Sequence, residues 1–451
     1  MSNFVITESG LRWLEAILLE RFGCLFNLRK NDQYLYISLS GAQGQIIFDR
    51  PEKGFFDRFS DLCFMYWDAV SEGWQSPLGL KLPAPGLAAY KGMLIEKNGP
   101  DHFVHYDIMG LTYWMLARVE EVGAEKLDQH SRFEATSSHA YKNGYLDRPV
   151  VDEWLHVLGQ LIQCQWPSIK LKTNEFKMLL SHDIDQPARY AFVSGISLIR
   201  RMIGDISRGR LSDAVLGPWI RLNSKNKLHA LDPYNTFKWL IDKSQQYGLK
   251  SAFYFISGHT NLKMDGDYDI AHPAIRKLLR YINEQEQEIG FHLSYNTYNK
   301  SLDLKREVDY LKSVCAEEGI NQNLWGSRMH YLRWQHPETL IACDEAGINY
   351  DSTLGYADQA GFRCGTSFEY PAFDPKACEM LNIRIRPLIV MDVTVFGENY
   401  MAKNVSNDAL SVFVELKRKV QLVNGNFTML WHNSELVEAQ SKKCYEDILK
   451  S

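Results

Sequence analysis

The sequence predicts an α/β protein: a barrel of seven β/α units, preceded by a smaller α+β domain. Strand-like apolar runs alternate with helical patterns over roughly the last 270 residues, as they do in barrels of parallel strands. The first part of the chain mixes short strands and helices without this alternation. Asp, His or Arg residues directly follow most of the predicted strands. In barrels of parallel strands, the active site lies at the carboxyl ends of the strands.

Residues 1–170 form the predicted α+β domain, and its function is not evident from the sequence. Strand-like runs lie at residues 34–39 and 45–48, and apolar residues recur at helical spacing over 108–122. Another helix is predicted over 151–164, after the Arg148-Pro149 turn. No catalytic set of residues is recognisable in this part of the chain.

Residues 171–451 form the predicted barrel. Seven strands are expected, at residues 176–180, 252–256, 288–291, 323–325, 348–350, 385–391 and 427–431. A helical insertion at about 194–232 is rich in Arg and Lys. It is interpreted either as a solvated surface insertion or as a lid that meets an anionic sugar or a lipid-linked substrate.

Composition excludes several classes of protein. A net charge of −5 argues against a nucleic-acid-binding protein, which is usually basic. The eight cysteines form no CxxC pair, so we expect reduced thiols and neither a zinc ribbon nor a disulfide framework. No apolar run approaches the roughly 18 residues of a transmembrane segment. We expect a cytoplasmic protein and leave peripheral attachment to a membrane open.

Two acidic residues leave the first barrel strand, in the run Ser181-His182-Asp183-Ile184-Asp185. Side chains at i and i+2 of an extended chain point the same way, so Asp183 and Asp185 would share one site. Two adjacent carboxylates ionise together only beside a cation, which indicates one metal ligand and one general base. His292 ends the third strand and offers an imidazole for Zn²⁺ or a similar ion. The competing interpretation of each group is a turn, a helix cap or a structural histidine.

Two further candidate site residues, Arg328 and His432, follow later predicted strands. Arg328, close to Tyr331, could hold a catalytic carboxylate by two hydrogen bonds, or it could form a structural ion pair. His432 follows the last strand and could protonate a leaving amine if a carboxylate lies beside it. Asp351 and Asp392 are both candidates for that carboxylate.

In this order the motifs resemble carbohydrate esterase family 4, the polysaccharide deacetylases with the NodB homology domain. The resemblance covers roughly residues 175–435, with 179–185, 292–296 and 328–331 as its first three motifs, Asp351 or Asp392 as the fourth and His432 as the fifth. It implies a distorted (β/α)7 barrel that removes N-acetyl groups from sugars. Residues 1–170, notably Arg132-Phe133 and the run from Arg148 to Glu153, resemble a domain of unknown function in deacetylase-like proteins of bacterial surface-polysaccharide gene clusters.

The resemblance assigns roles residue by residue. Asp183 matches the base and Asp185 the metal ligand, with the reverse left open because Ile184 splits the usual Asp-Asp pair. Asn296 stands where the family has its second metal histidine. Either Asn296 or His330 completes the metal shell, or the metal binds loosely, or none is used. Tyr331 and Trp431, beside the motifs, are expected to contact the substrate.

The predicted function is a hydrolase that uses a divalent metal, zinc by preference, to remove N-acetyl groups from an amino sugar of a surface polysaccharide or its precursor. The expected partner is therefore a carbohydrate, and no nucleic acid is expected. Two alternatives stay open at this point. One is a metal-independent amide hydrolase that acts on a small substrate. The other is a non-catalytic glycan-binding protein that keeps the barrel.

Overall fold

A computed structural model describes residues 6–58, 60–403 and 407–451 of the chain. The described residues of the N-terminal region form these elements: α1 Glu8–Phe22, β1 Phe26–Lys30, β2 Leu35–Leu39, β3 Ile46–Phe48, β4 Phe64–Trp67, β5 Leu82–Pro85, β6 Ile95–Asn98, β7 Asp101–Val104, α2 Ile108–Leu116, α3 His139–Lys142 and α4 Val150–Gln165. Five of these strands form a mixed sheet in the order β1-β2-β3-β7-β6, and β4 pairs with β5 separately.

The second region alternates strands and helices. Its elements are β8 Lys177–Ile184, α5 Gly195–Ser207, α6 Leu211–Asn223, α7 Phe237–Gln246, β9 Ser251–Ile256, α8 Pro273–Glu284, β10 Glu288–Leu293, α9 Ser301–Glu317, β11 Gly326–Met329, α10 Glu338–Glu345, β12 Tyr350–Asp351, β13 Tyr370–Asp374, β14 Glu379–Ile385, β15 Val390–Met391, α11 Asp392–Phe396, α12 Asn407–Leu422, β16 Asn426–Leu430 and α13 Ala439–Lys450.

These strands form one nine-stranded sheet in the order β13-β14-β12-β11-β10-β9-β8-β16-β15. Every neighbouring pair from β14 to β15 is parallel, and only β13 is antiparallel to its neighbour. The α/β class is therefore confirmed. Within the described ranges, β13 and β15 do not pair with each other, so a closed barrel of seven units stays a prediction.

Burial of both faces explains why these segments form parallel strands. All six residues of β9 are buried, as is typical of a strand covered by helices on one side and by the interior on the other. Helix α8 covers the sheet with an apolar stripe that includes Ile275, Leu279 and Ile282, and Pro273 occupies its first turn.

Two predicted strands are wrong in detail. The run 385–391 is not one strand, because β14 ends at Ile385 and pairs with β12, whereas β15 begins at Val390 and pairs with β16. Pro387 lies between them and has no N–H for a ladder. The fourth strand begins at Gly326, after the predicted 323–325, and a Cβ at this glycine would lie 2.1 Å from the Tyr350 ring.

The N-terminal region packs against the edge of the nine-stranded sheet. Trp13 donates to the Pro371 carbonyl (2.8 Å) and stacks on Phe373. One continuous apolar core joins the two regions. The boundary near residue 170 stays a prediction.

The predicted insertion at 194–232 contains α5 and α6. Among the described residues, no helix has the length and apolar character needed to cross a membrane.

Candidate active site

The carboxyl ends of the parallel strands deliver polar side chains to one cleft of about 540 Å³. Strand β8 carries Asp183 and leads to Asp185, β10 carries His292, and the chain reaches His330 and His432 just after β11 and β16. All five residues line this cleft. The predicted convergence of distant acidic and imidazole groups is therefore present in the structure.

Asp185, His292 and His330 form the centre of the cleft. Their candidate ligand atoms all lie within 4.8 Å of one another. His292 Nε2 is 3.0 Å and His330 Nε2 is 3.6 Å from the same atom, Asp185 Oδ1. A carboxylate with two imidazoles is a donor set that zinc binds in hydrolases.

Groups behind the two histidines set which nitrogen faces the cleft. His292 Nδ1 donates to the Arg328 carbonyl (3.0 Å), and His330 Nδ1 donates to Asp265 Oδ1 (3.0 Å). In a neutral imidazole, this leaves the Nε2 lone pair free for a metal. Asp265 is itself held by the backbone N–H groups of Tyr295 and Asn261.

The residues of this cluster fit a divalent cation. Asp185 Oδ1 is buried, with His292 Nε2 at 3.0 Å and His330 Nε2 at 3.6 Å, yet no donor in the described part of the chain makes a well-aligned hydrogen bond to it. A buried carboxylate oxygen in this position is stabilised by a cation bound between it and the two ring nitrogens. Burial lowers the pKa of His330, but the facing Asp185 and Asp265 carboxylates outweigh this and raise it to about 9. A bound cation would take the place of that proton.

Arg328 holds Asp183 on one side of the cluster. Its guanidinium donates to Asp183 Oδ1 (2.8 Å), to both Ser352 oxygens and to the Ser181 hydroxyl. Burial alone would raise the pKa of Asp183, but Arg328 and His292 lower it below its ordinary value. Asp183 is therefore an ionised carboxylate in a fixed orientation, with Oδ2 3.7 Å from His292 Nε2.

His432 and Asp392 form a pair on the other side. Asp392 accepts hydrogen bonds from His432 Nδ1 (2.8 Å) and from the His432 backbone N–H (2.7 Å). Burial lowers the pKa of His432, but Asp392 and Asp185 raise it to about 10. Its Nε2 lies 3.7 Å from Asp185 Oδ2. The imidazole is therefore protonated and directed into the cleft.

Asp351, the other candidate partner of His432, lies elsewhere. It accepts hydrogen bonds from Ser327 Oγ (2.7 Å) and from both Thr353 donors, and burial raises its pKa to about 6. These bonds fix the ends of β11 and β12, so Asp351 positions the backbone around Arg328. The prediction of a catalytic role at Asp351 is corrected.

Asn296 is also outside the cluster. Its Nδ2 donates to the Thr260 carbonyl (2.9 Å), and its Oδ1 accepts from Arg333 (3.2 Å). The expectation that Asn296 ligates a metal is therefore corrected, and His330 supplies the second imidazole. His330, the alternative considered in the sequence, reaches the cluster through a helical turn beyond β11. Spacing from His292 alone could not decide between Asn296 and His330.

Trp431 does not contact the cleft, which corrects its predicted role in substrate binding. Its ring is fully buried between Phe396, Phe413 and Tyr445, behind the sheet. Alternation along the strand accounts for this placement, because neighbours of a residue that faces the site point away from it. Tyr331 lines the cleft, and its contact with the substrate stays a prediction.

Tyr331 has a left-handed backbone, with φ 63°. This conformation is uncommon for a residue with a side chain and is found where surrounding contacts enforce it. Here the Tyr331 carbonyl accepts a hydrogen bond from Arg132 (2.9 Å), and the ring packs on His130 and Tyr295.

Arg132 belongs to the N-terminal region and lines the same cleft. Asp128 anchors it through a 2.7 Å ion pair, and Arg132 also donates to the Tyr400 hydroxyl (3.2 Å). The sequence showed no catalytic set in the N-terminal region, so Arg132 was missed as a site residue, as was Asp265. Arg132 was noted only as part of the resemblance of the N-terminal domain, with no role in the site, and Asp265 was not noted at all. Only the packing of separate chain segments brings these two residues to the cleft.

Comparison with known proteins matches residues 14–167 to a family described as a family of unknown function, DUF7033. This agrees with the predicted N-terminal domain of unknown function. No curated protein matches the chain.

Solved structures with partial similarity include a protein of Mycobacterium smegmatis assigned as a polysaccharide deacetylase, with 12% identity, a TM-score of 0.40 and coverage of 62% of this chain and 84% of that one. PuuE allantoinase has 11% identity, a TM-score of 0.36 and coverage of 61% and 83%. Agd3, a carbohydrate deacetylase, has 10% identity, a TM-score of 0.39 and coverage of 67% and 53%. At these levels of similarity, the function must be inferred from the site.

Proposed function

We propose that this protein is a metal-dependent hydrolase that removes the N-acetyl group from an amino sugar of a surface polysaccharide or its precursor. The observation that carries the proposal is the convergence of three units in one cleft. They are the Asp185, His292 and His330 cluster, the Asp183–Arg328 pair and the His432–Asp392 pair.

Asp185, His292 and His330 are the residues that would hold the metal, with zinc as the first candidate. A divalent cation there would lower the pKa of a water molecule and polarise an amide carbonyl. Asp265 and the Arg328 carbonyl would keep both imidazoles in the tautomer that ligation needs.

Asp183 and His432 are the two residues proposed to transfer protons. Asp183 is the general base that takes a proton from water, and Arg328 is the positioning residue that keeps it ionised. His432, protonated beside Asp392, gives a proton to the departing amine. The Tyr331 backbone N–H, in its left-handed turn, is the proposed donor to the oxyanion.

The walls of the cleft suit a sugar. Tyr331, Tyr400 and Tyr234 supply aromatic surface with hydroxyl groups, and Arg132 adds a buried cation next to Tyr331. Aromatic faces with nearby polar donors are a common way to hold a polar, partly apolar ligand in one orientation.

The test is acetate release from N-acetylglucosamine oligosaccharides by purified full-length protein. Zinc-loaded protein is expected to release acetate, and chelator is expected to abolish the reaction until zinc is restored. Turnover unchanged by chelator would instead support a metal-independent amide hydrolase. Oligosaccharide binding without acetate release, with added Zn²⁺ or Co²⁺, would support a glycan-binding protein.

A further inference from the structure

Helices α5 and α6 form a hairpin, residues 195–223, that we call the basic hairpin. Its inner faces pack together through Leu198 and Ile220, with Met202 and Leu216 beside them, in a small core separate from the main one. Asp205 on the inner face of α5 forms a buried ion pair with Arg189, which ties the hairpin to the chain that follows β8. The two helices therefore pack on each other through one face each, and the opposite faces take no part in this small core.

The opposite face of each helix is apolar and exposed. On α5 the exposed residues are Ile196, Ile199, Ile203 and Ile206, and on α6 they are Leu211, Val215, Trp219 and Leu222. Spacing of three and four residues places each set on one stripe of its helix. Val215 is 77% exposed and Ile196 69%, so nothing in the described chain covers them. A continuous exposed apolar patch on a folded protein marks an interaction surface.

The segment that carries the two stripes has a net positive charge. Residues 194–232 contain seven Lys and Arg against three Asp, a net charge of +4 in a chain whose net charge is −5. Two of these Asp, Asp205 and Asp232, are buried and bonded within the fold. Five of the cations form no ion pair or hydrogen bond through their side chains with any described residue: Arg200, Arg208, Arg221, Lys225 and Lys227. The cations are therefore available to an external anionic surface.

We propose that the basic hairpin docks on the headgroup region of an anionic phospholipid bilayer, with its isoleucines and Trp219 in the interface. Apolar stripes that include Trp, flanked by unpaired Arg and Lys, are the composition of helices that lie in a membrane surface. A second copy is a poor occupant, because a symmetric pairing of this face would bring the same unpaired cations together.

The cleft opens beside this surface. Arg201 of α5 lines the cleft and forms an ion pair with Asp267, another residue of its wall (3.0 Å). Leu262, 91% exposed, and Lys263 lie on the same rim. Docking would thus bring the mouth of the cleft to substrates carried in the bilayer, a consequence that rests on the proposed function. The docking itself does not depend on that function.

Flotation of the full-length protein with vesicles tests the proposal. The protein is expected to bind vesicles of phosphatidylcholine mixed with phosphatidylglycerol, to bind pure phosphatidylcholine vesicles less, and to be released by salt. Ile203→Glu with Trp219→Glu is expected to weaken binding about tenfold or more. The matched control is Leu25→Glu with Leu302→Glu, at leucines that are 74% and 72% exposed, and it is expected to bind as the wild type does.

A second pair of variants tests the charges. Arg200→Glu with Lys225→Glu is expected to weaken binding about tenfold or more, and Lys277→Glu with Lys300→Glu, at exposed lysines elsewhere, is expected to change it little. Three of these substitutions lie in the hairpin and Lys225→Glu lies just after it; all four avoid the inner core, and thermal unfolding verifies that each variant is folded. Three results would overturn the proposal: no binding to the anionic vesicles at low salt, equal loss in variants and controls, or a dimer in solution that Ile203→Glu with Trp219→Glu dissociates. Acetate release in solution is measured separately, so failure of docking and failure of the hydrolase proposal are distinguishable.

Discussion

Two buried clusters of charge in this protein differ in how completely their members are paired. Where the N-terminal region meets the nine-stranded sheet, Glu121 accepts hydrogen bonds from Arg118 (2.9 Å) and from two nitrogens of Arg363. Burial would raise the pKa of Glu121, but the two guanidinium groups lower it to about 2. Each charge in this cluster faces an opposite charge, and both Glu121 oxygens are occupied.

In the cluster in the cleft, one buried carboxylate oxygen lacks a well-aligned hydrogen-bond donor among the described residues. Asp183 and Asp185 face His292, His330 and His432. Asp185 Oδ1 nevertheless accepts no well-aligned hydrogen bond from the described residues, although His292 Nε2 lies 3.0 Å away. Buried charges that are fully paired hold parts of a fold in one arrangement. Buried charges that converge on open space with an unmet acceptor are typical of a site that binds a cation or does chemistry.

The largest expected effect is a loss of catalytic activity when a residue of the cluster in the cleft is replaced. Asp183→Asn removes the proposed base but keeps an oxygen that can accept from Arg328, so acetate release should fall by about 10²–10⁴-fold. Zinc affinity should change much less, because Asp183 is not one of the three proposed ligands. Asp309→Asn, at an exposed residue of α9, is the control. Wild-type turnover by a folded Asp183→Asn protein would exclude Asp183 as the base.

Replacing a residue of the Glu121 cluster should instead lower the stability of the fold. Glu121→Gln leaves the buried Arg118 and Arg363 with too little negative charge, so the free energy of unfolding should fall by about 3–5 kcal/mol. Asp242→Asn breaks an exposed ion pair with Lys238, which water screens, and should leave the free energy of unfolding nearly unchanged. Urea denaturation measures both. Equal denaturation midpoints for Glu121→Gln and the wild type would show that the paired Glu121 cluster does not stabilise the fold.

Metal affinity tests which side chains support the centre of the cleft. Asp265→Asn weakens the acceptor behind His330, so zinc affinity should fall about 10–100-fold in a chelator competition assay. Asn296→Ala should leave zinc affinity unchanged, because both ends of that amide are bonded away from the cluster. The reverse outcome, with Asn296 needed and Asp265 dispensable, would restore Asn296 as a ligand.

The smallest expected effects concern the two aromatic residues predicted to bind substrate. Trp431→Phe should leave KM unchanged and cost about 1 kcal/mol of stability, since the ring is core. Tyr331→Gly accepts the same left-handed backbone and removes only the ring, so KM should rise by about two- to tenfold. A raised KM in Trp431→Phe alone would place the substrate on the other side of β16.

Local pattern was sufficient for much of the site. Residues that follow successive strands were expected at one edge of a parallel sheet, and Asp183, Asp185, His292, Arg328 and His432 do lie together there. The choice between Asp351 and Asp392 could not be made in this way. Both follow a strand, but only the packing of β15 against β16 brings Asp392 within 2.8 Å of His432.

Periodicity and short-range order in the amino-acid sequence were enough to predict the α/β class, the edge of the sheet where the candidate site lies, and the helical, basic character of residues 194–232. The packing of distant segments places His330, and not Asn296, beside Asp185 and His292, and it brings Arg132 to the cleft from the N-terminal region. It also decided that the apolar stripes of the basic hairpin remain uncovered. The physical reason is that contacts between distant segments depend on how helices and sheets pack, and local spacing contains no information about that packing.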